Sequence, residues 1–373
     1  MKGYSKDTIK AFFVLLQAGL WEKEVRLAVY GDVDYAAVYR LASEQSVVGL
    51  LAAGLEHVVD VKIPQELALI IAGEVLQLEQ RNKAMNEFIA SLVNQLRDKG
   101  INTLLVKGQG IAECYERPLW RACGDVDLFM DDENYVKAAQ HLSASANEVV
   151  ESRRDIKHIE MTIGPWSVEL HGTLRSQLGK RVDGVIDVVQ NDTFEKKHVR
   201  IWHNATTDVL LPSADNDVIF VFTHILQHFF NGGIGLRQIC DWCRLLWVYR
   251  SSIDDVLLKQ RISEAGLMSE WRAFSALAVE WLDMPAEASP LYSGAQKWKE
   301  KADKIVSYVL KTGNMGHNRD TSYREKFSTM QRKLVTLARI SGDGLRQFGI
   351  FPKDAIRVWW LIVTKGVNEA VNE

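Results

Sequence analysis

Asp125 and Asp127 stand two residues apart in the apolar run GDVDLFM at 124–130. Because side chains on a strand alternate between its two faces, both carboxylates project from one side, about 7 Å apart along the backbone. Val126 and Leu128 then face the other way, into a core. Two carboxylates in this arrangement can share a divalent cation, although a polar sheet edge is the competing interpretation.

A third carboxylate, Glu169, follows in the run VELHG at 168–172, where the same alternation places it on one face with His171. A two-aspartate metal site would use such an acidic group on a neighbouring strand. Carboxylate oxygens suit Mg²⁺ or Mn²⁺, and Mg²⁺ commonly binds one or two carboxylates together with substrate phosphates. His171 could orient a substrate or relay a proton, or could be a packed, hydrogen-bonded histidine.

A glycine turn precedes the aspartates in LLVKGQG at 104–110, where the pattern predicts a buried strand, a turn and then a helix from Ile111. Glycines let backbone approach a phosphate, and a helix N-terminus offers free N–H groups to an anion. The alternative for the glycines is an ordinary tight turn. For Lys107 and Arg121 the alternative is a surface position or a structural ion pair. The candidate phosphate-binding residues are Lys107, Gly108, Gln109, Gly110 and Arg121.

His224 and His228 lie four residues apart in FTHILQHFF, so a helix would place them on one face, where two imidazoles can bind one metal. The run lacks the glutamate of an HExxH motif, which argues against a zinc protease. We expect these histidines to line a cleft between the helices and the sheet, with plain packing as the alternative. Further candidates for that cleft are His158 and the predicted ion pair of Arg237 with Asp241.

The composition is that of an ordinary folded protein, with 373 residues, 47% hydrophobic and 25% charged, and a net charge of -3. The near balance of charge argues against broad nucleic-acid binding. No window reaches ~18 uninterrupted apolar residues, so we expect no membrane span and a cytoplasmic location. Cys240 and Cys243 form a CxxC, but the second half of a zinc set is missing, which favours packing within a helix.

The periodicity divides the chain into three regions and predicts an α+β fold. Residues 1–98 are helical in pattern, residues 99–211 alternate strands with helices, and residues 212–373 return to helices. A hairpin turn is expected at Gly164-Pro165. The runs VIDVVQ at 185–190 and HVRIWH at 198–203 are strand-like and could extend the sheet.

The runs KGQG, GDVDLFM and VELHG together resemble the uncharacterised bacterial nucleotidyltransferase family of the DNA polymerase β-like nucleotidyltransferase superfamily. The turn departs from that superfamily's usual glycine-serine form. The resemblance implies a mixed polymerase-β-like sheet flanked by N-terminal and C-terminal helical regions. It also implies that the glycine turn and Arg121 bind nucleotide, and that the catalytic and metal-binding residues are Asp125, Asp127 and Glu169.

The implied activity is Mg²⁺-dependent transfer of a nucleoside monophosphate from an NTP to a hydroxyl group. The acceptor could be a small molecule, a sugar, a protein or an RNA end. A catalytically degenerate nucleotide-binding module, regulatory or of toxin–antitoxin type, is the alternative from a different class. A metal hydrolase built on His224 and His228 is a third hypothesis, which requires a nearby carboxylate, with Asp241 as the nearest candidate.

Overall fold

The computed structural model describes residues 4–153, 156–195, 197–316, 318 and 329–360. The predicted C-terminal region therefore extends beyond the described residues. The helices of the protein are α1 Lys6–Trp21, α2 Tyr35–Glu44, α3 Val48–Glu56, α4 Gln65–Asp98, α5 Gly108–Ala112, α6 Asp132–Ser145, α7 Lys180–Glu195, α8 Ala214–Asn231, α9 Leu236–Tyr249, α10 Asp255–Ala265, α11 Met268–Leu282, α12 Gln296–Thr312, α13 Thr329–Phe348 and α14, which is described over 352–360. Its strands are β1 Leu104–Val106, β2 Asp125–Phe129, β3 Glu148–Arg153, β4 His158–Ile163, β5 Trp166–His171, β6 Val199–Asn204 and β7 Thr207–Pro212.

The N-terminal helices pack closely because glycines remove side chains where α1 meets α3. A Cβ added at Gly54 would lie 2.0 Å from the Leu15 carbonyl oxygen, and one added at Gly19 would lie 1.9 Å from the Leu50 carbonyl oxygen. At the end of α1, the Trp21 indole N–H donates to the carbonyl of Leu282 in α11. The first and last helical regions therefore share one hydrophobic core.

The main sheet has the strand order β1-β2-β5-β4-β3, and β2 and β5 are parallel while their other neighbours are antiparallel. The predicted hairpin turn at 164–165 joins β4 to β5. One face of the sheet is apolar and packs on α4 and α6, with Val126, Leu128, Val168 and Leu170 fully buried there. The opposite face carries the predicted carboxylates, which confirms the alternation read from the sequence.

The prediction of a strand at 185–190 was wrong, because these residues lie within α7. Val182, Val185, Ile186 and Val189 recur at three- and four-residue spacing and all are buried, which is the period of a helix. The run at 198–203 does form a strand, β6, but it pairs only with β7 in a separate two-stranded sheet in the described part of the chain. Its partner strand packs on the core of the main sheet through Leu211.

The C-terminal helices enclose an aromatic core around Phe222, Trp242 and Trp271, whose side chains are fully buried. Cys240 and Cys243 are buried beside it in α9, and burial raises the pKa of both thiols. Burial and a raised pKa both indicate that these cysteines pack in the core, and both argue against a reactive thiolate. In the described chain, no helix is long and apolar enough to cross a membrane.

Candidate active site

The polar face of the sheet and helices α8 and α9 enclose a cleft with a volume of ≈ 270 Å³. All but two of the candidate residues named from the sequence line it: Lys107, Gly108, Arg121, Asp125, Asp127, His158, Glu169, His171, His224, His228, Arg237 and Asp241. Residues far apart in the chain thus meet because β2 and β5 are neighbours and α8 and α9 cover their polar face.

Asp127 and Glu169 are direct partners in the register between the parallel strands β2 and β5. His171 Nε2 lies 2.8 Å from Asp127 Oδ1 and 3.4 Å from Glu169 Oε2, so one imidazole contacts both carboxylates. Burial acts to raise the pKa of Glu169, but hydrogen bonds from His158 and His171 and the charge of Lys107 outweigh it and hold that pKa low. Glu169 is therefore a carboxylate at neutral pH.

Asp125 differs from Asp127 and Glu169 in its hydrogen bonding within the described residues. Its pKa is raised, first by the charge of Asp127 and then by burial. Among the described residues, no side chain donates a hydrogen bond to its carboxylate. Like charges held together in this way favour the binding of a cation between them.

Lys107 supplies the cation closest to Asp127, with Nζ 2.6 Å from Oδ1. Burial acts to lower its pKa, but the carboxylates of Asp127, Glu169 and Asp125 outweigh that effect and the net shift is upward. The backbone of Lys107 has φ 59°, a conformation that a residue other than glycine adopts at a cost of roughly 1–3 kcal/mol. This strained junction between β1 and α5 directs the ammonium group into the cleft.

The glycine turn contributes less to the cleft than its sequence predicts, because the helix begins at Gly108 and not at Ile111. Gly108 lines the cleft. Gln109 is 2% exposed and its amide donates to Asn82 Oδ1 at 2.9 Å. A Cβ added at Gly110 would lie 2.8 Å from a methyl carbon of Leu211, so this glycine serves packing against β7.

Arg121 forms a two-pronged ion pair with Asp241, with Nε–Oδ1 at 2.9 Å and Nη2–Oδ2 at 2.7 Å. The Tyr115 hydroxyl donates to the same carboxylate at 2.8 Å. Burial acts to raise the pKa of Asp241, but Arg121 outweighs it and the pKa falls. Arg121 lines the cleft, and its Nη1 atom is buried without a hydrogen-bond partner among the described residues.

The predicted pairing of Arg237 with Asp241 was therefore wrong. Arg237 Nη1 instead donates to the carbonyl of Ala122 at 2.6 Å. Spacing along one helix suggested a local partner, whereas the chain preceding β2 brings Arg121 across to α9. Since Arg121 and Tyr115 engage Asp241, it does not act as a free third ligand beside His224 and His228.

Two histidine pairs face each other across the cleft. His158 Nε2 lies 3.2 Å from Glu169 Oε2, and the rings of His158 and His171 are 5.0 Å apart. On α8, the Nε2 atoms of His224 and His228 are 3.0 Å apart. Burial, followed by the charge of Lys107, lowers the pKa of both helix histidines, to about 4 for His228, so this pair is neutral and one ring donates to the other.

Several residues that line the cleft were not among the residues predicted from the sequence, namely Thr173, Arg175, Gln177, Gln227 and Met315. The first three directly follow β5, so the end of the strand that bears Glu169 was a usable signal. Gln227 is one turn beyond His224 on the same helix face. Met315 carries no such signal, because only tertiary packing brings it to the cleft.

A mixed sheet with neighbouring carboxylates above a strand–turn–helix junction, flanked by helices, is consistent with a nucleotidyltransferase fold. The family described as "Uncharacterised nucleotidyltransferase" matches residues 31–283, and the chain belongs to it. That match includes every residue of the cleft named from the sequence. No curated protein and no solved structure matches the chain.

Proposed function

We propose that this protein is a divalent-metal-dependent nucleotidyltransferase that moves a nucleoside monophosphate from an NTP to a hydroxyl acceptor. One observation carries the proposal. Asp127 and Glu169 are register partners on adjacent parallel strands and lie on the same face of the sheet, Asp125 shares that face, and Lys107 Nζ lies 2.6 Å from Asp127 Oδ1. Membership of the nucleotidyltransferase family supports it.

The residues present are of the type that a hard divalent cation binds, although among the described residues these three carboxylates do not bring one oxygen each within 4.8 Å of one another. Asp125, Asp127 and Glu169 provide oxygen donors. Mg²⁺ or Mn²⁺ would relieve the repulsion between the carboxylates of Asp125 and Asp127. Such an ion, when bound, neutralises charge that develops around the α-phosphate during transfer. The low pKa of Glu169 favours a role as ligand over a role as proton acceptor.

The remaining groups of the cleft suit the triphosphate. Lys107 places an ammonium group beside the carboxylates, and Gly108, which is buried and has no side chain, lines the cleft at the start of α5. Arg121 also lines the cleft, and its buried Nη1 has no hydrogen-bond partner among the described residues. In the transfer, the acceptor oxygen forms a bond to the α-phosphorus, and the bond from that phosphorus to the α–β bridging oxygen breaks. Pyrophosphate leaves with the electron pair of the broken bond, and the hydroxyl proton passes to solvent.

The test is incubation of the protein with each α-labelled NTP in the presence of Mg²⁺ or Mn²⁺. We expect label transfer by the wild type and none by the double variant Asp125→Asn, Asp127→Asn. Asp208→Asn is the matched control, because Asp208 is an exposed aspartate on the β6–β7 hairpin that pairs with His203. Label on the protein itself would indicate self-modification, and label that requires cell extract would indicate a separate acceptor.

The same assay separates the proposal from the degenerate alternative. NTP binding without label transfer under any metal or extract condition, unchanged by Asp127→Asn, would contradict the enzymatic proposal. That outcome would identify a nucleotide-binding regulatory module built on the same fold.

A further inference from the structure

Three potential metal ligands of mixed type stand together on the polar face of the sheet. One ligand atom each from His158, Glu169 and His171 can be chosen so that all three lie within 4.8 Å of one another. His158 and His171 are direct partners in the antiparallel register of β4 and β5, and Glu169 is two residues before His171. The sheet backbone therefore sets their spacing.

The kind of donor decides which ion such a cluster takes. Two imidazole nitrogens and one carboxylate oxygen suit first-row transition metals such as Zn²⁺, whereas Mg²⁺ prefers oxygen and retains its waters. Three protein ligands that leave a further position open are typical of catalytic zinc sites. The carboxylate-only set at Asp125 and Asp127 has the opposite preference.

We propose that His158, Glu169 and His171 form a transition-metal site that binds Zn²⁺-class dications in preference to Mg²⁺. The three side chains are 16%, 22% and 14% exposed and line the cleft, so an ion can enter from the cleft side. The site shares Glu169 with the proposed nucleotidyltransferase centre, but metal binding to it does not depend on nucleotidyl transfer.

The other histidine pair provides an internal comparison. The Nε2 atoms of His224 and His228 are 3.0 Å apart, but in the described residues no carboxylate joins them in a three-ligand cluster. The geometry therefore favours the sheet histidines over the helix histidines as metal ligands, although the spacing in the sequence pointed to the helix pair.

The test uses the full chain, freed of metal by chelation, without nucleotide. Titration with Zn²⁺ should show one equivalent bound, and excess Mg²⁺ should not displace it. With Co²⁺ as the probe, visible absorption bands of a nitrogen-ligated ion should appear. Their absence in the wild-type protein would overturn the proposal without the need for any variant.

Variants then locate the site. His158→Gln should weaken Zn²⁺ binding by at least about tenfold, on the scale of metal-site perturbations, whereas His203→Gln on the exposed hairpin should leave it unchanged. Circular dichroism checks that each variant is folded. If His158→Gln does not fold, His158→Ala takes its place in the titration. Zn²⁺ affinity that is equal in the His158 and His203 variants would contradict the assignment.

The two proposals fail in different ways. The variant Asp125→Asn should abolish nucleotidyl transfer but retain the Co²⁺ absorption bands. Loss of transfer with these bands present would separate the two centres, and bands that vanish with Asp125→Asn would show that the ion is held by the aspartates and overturn the histidine site.

Discussion

Replacement of His228 by glutamine should reduce the sensitivity of the fold to acid. Burial, followed by the charge of Lys107, lowers the pKa of His228 to about 4, against 6.5 for an ordinary histidine. The unfolded chain therefore binds a proton at this residue at a higher pH than the folded chain does. The stability associated with the neutral imidazole is present above about pH 6.5 and is lost as the pH falls towards 4.

The size of the effect follows from the shift. Between about pH 7.5 and about pH 4.5, His228 alone should lower the free energy of unfolding by about 2.5 kcal/mol. His224, whose pKa is also lowered by burial, acts in the same direction. Glutamine keeps a donor that can reach the His224 ring, but it does not titrate.

The assay is urea unfolding of wild type, His228→Gln and His203→Gln at both pH values, with histidine NMR titration of the folded protein. The wild type should lose about 2–3 kcal/mol more than His228→Gln on acidification, and the exposed control should behave as the wild type does. An equal loss in wild type and His228→Gln, or a resonance of His228 that titrates near 6.5, would refute the reasoning.

Three further predictions concern stability measured by urea unfolding. Burial raises the pKa of Glu270 to about 8, so the free energy of unfolding falls as the pH rises from 4.5 to 8. Glu270→Gln should therefore stabilise the protein by up to about 4 kcal/mol at about pH 8.5, but not below about pH 5. Gly54→Ala should cost at least about 1–3 kcal/mol through its backbone clash with α1, whereas Gly73→Ala, which meets no atom within 4 Å in α4, should be neutral or gain about 0.5–1 kcal/mol. Asp241→Asn should cost about 3–5 kcal/mol because it leaves Arg121 buried and charged, and equal stability of the variant would count against a structural role for the pair.

The alternation of polar and apolar residues in the two site strands was sufficient to predict their faces. In β5 burial alternates residue by residue, and in β2 Val126 and Leu128 alternate with Asp125 and Asp127, so the carboxylates share the face opposite these apolar residues. Phe129 breaks the alternation in β2, because it is apolar and buried although it follows Asp127 by two residues. The hairpin at 164–165 followed from its Gly-Pro turn. The interpretation of 185–190 as a strand was wrong because valine and isoleucine are common in strands, whereas Val185, Ile186 and Val189 have the spacing of one buried helix face.

What the sequence by itself determined is therefore local: which residues share a face, and which residue types can bind a cation or a phosphate. Only the tertiary structure decided the pairings between distant segments. The in-register contact of Asp127 with Glu169 depends on β2 and β5 lying side by side, and the bond from Arg121 to Asp241 spans 120 residues. Such contacts arise from the burial of whole faces of helices and sheet, so no spacing along the chain encodes them.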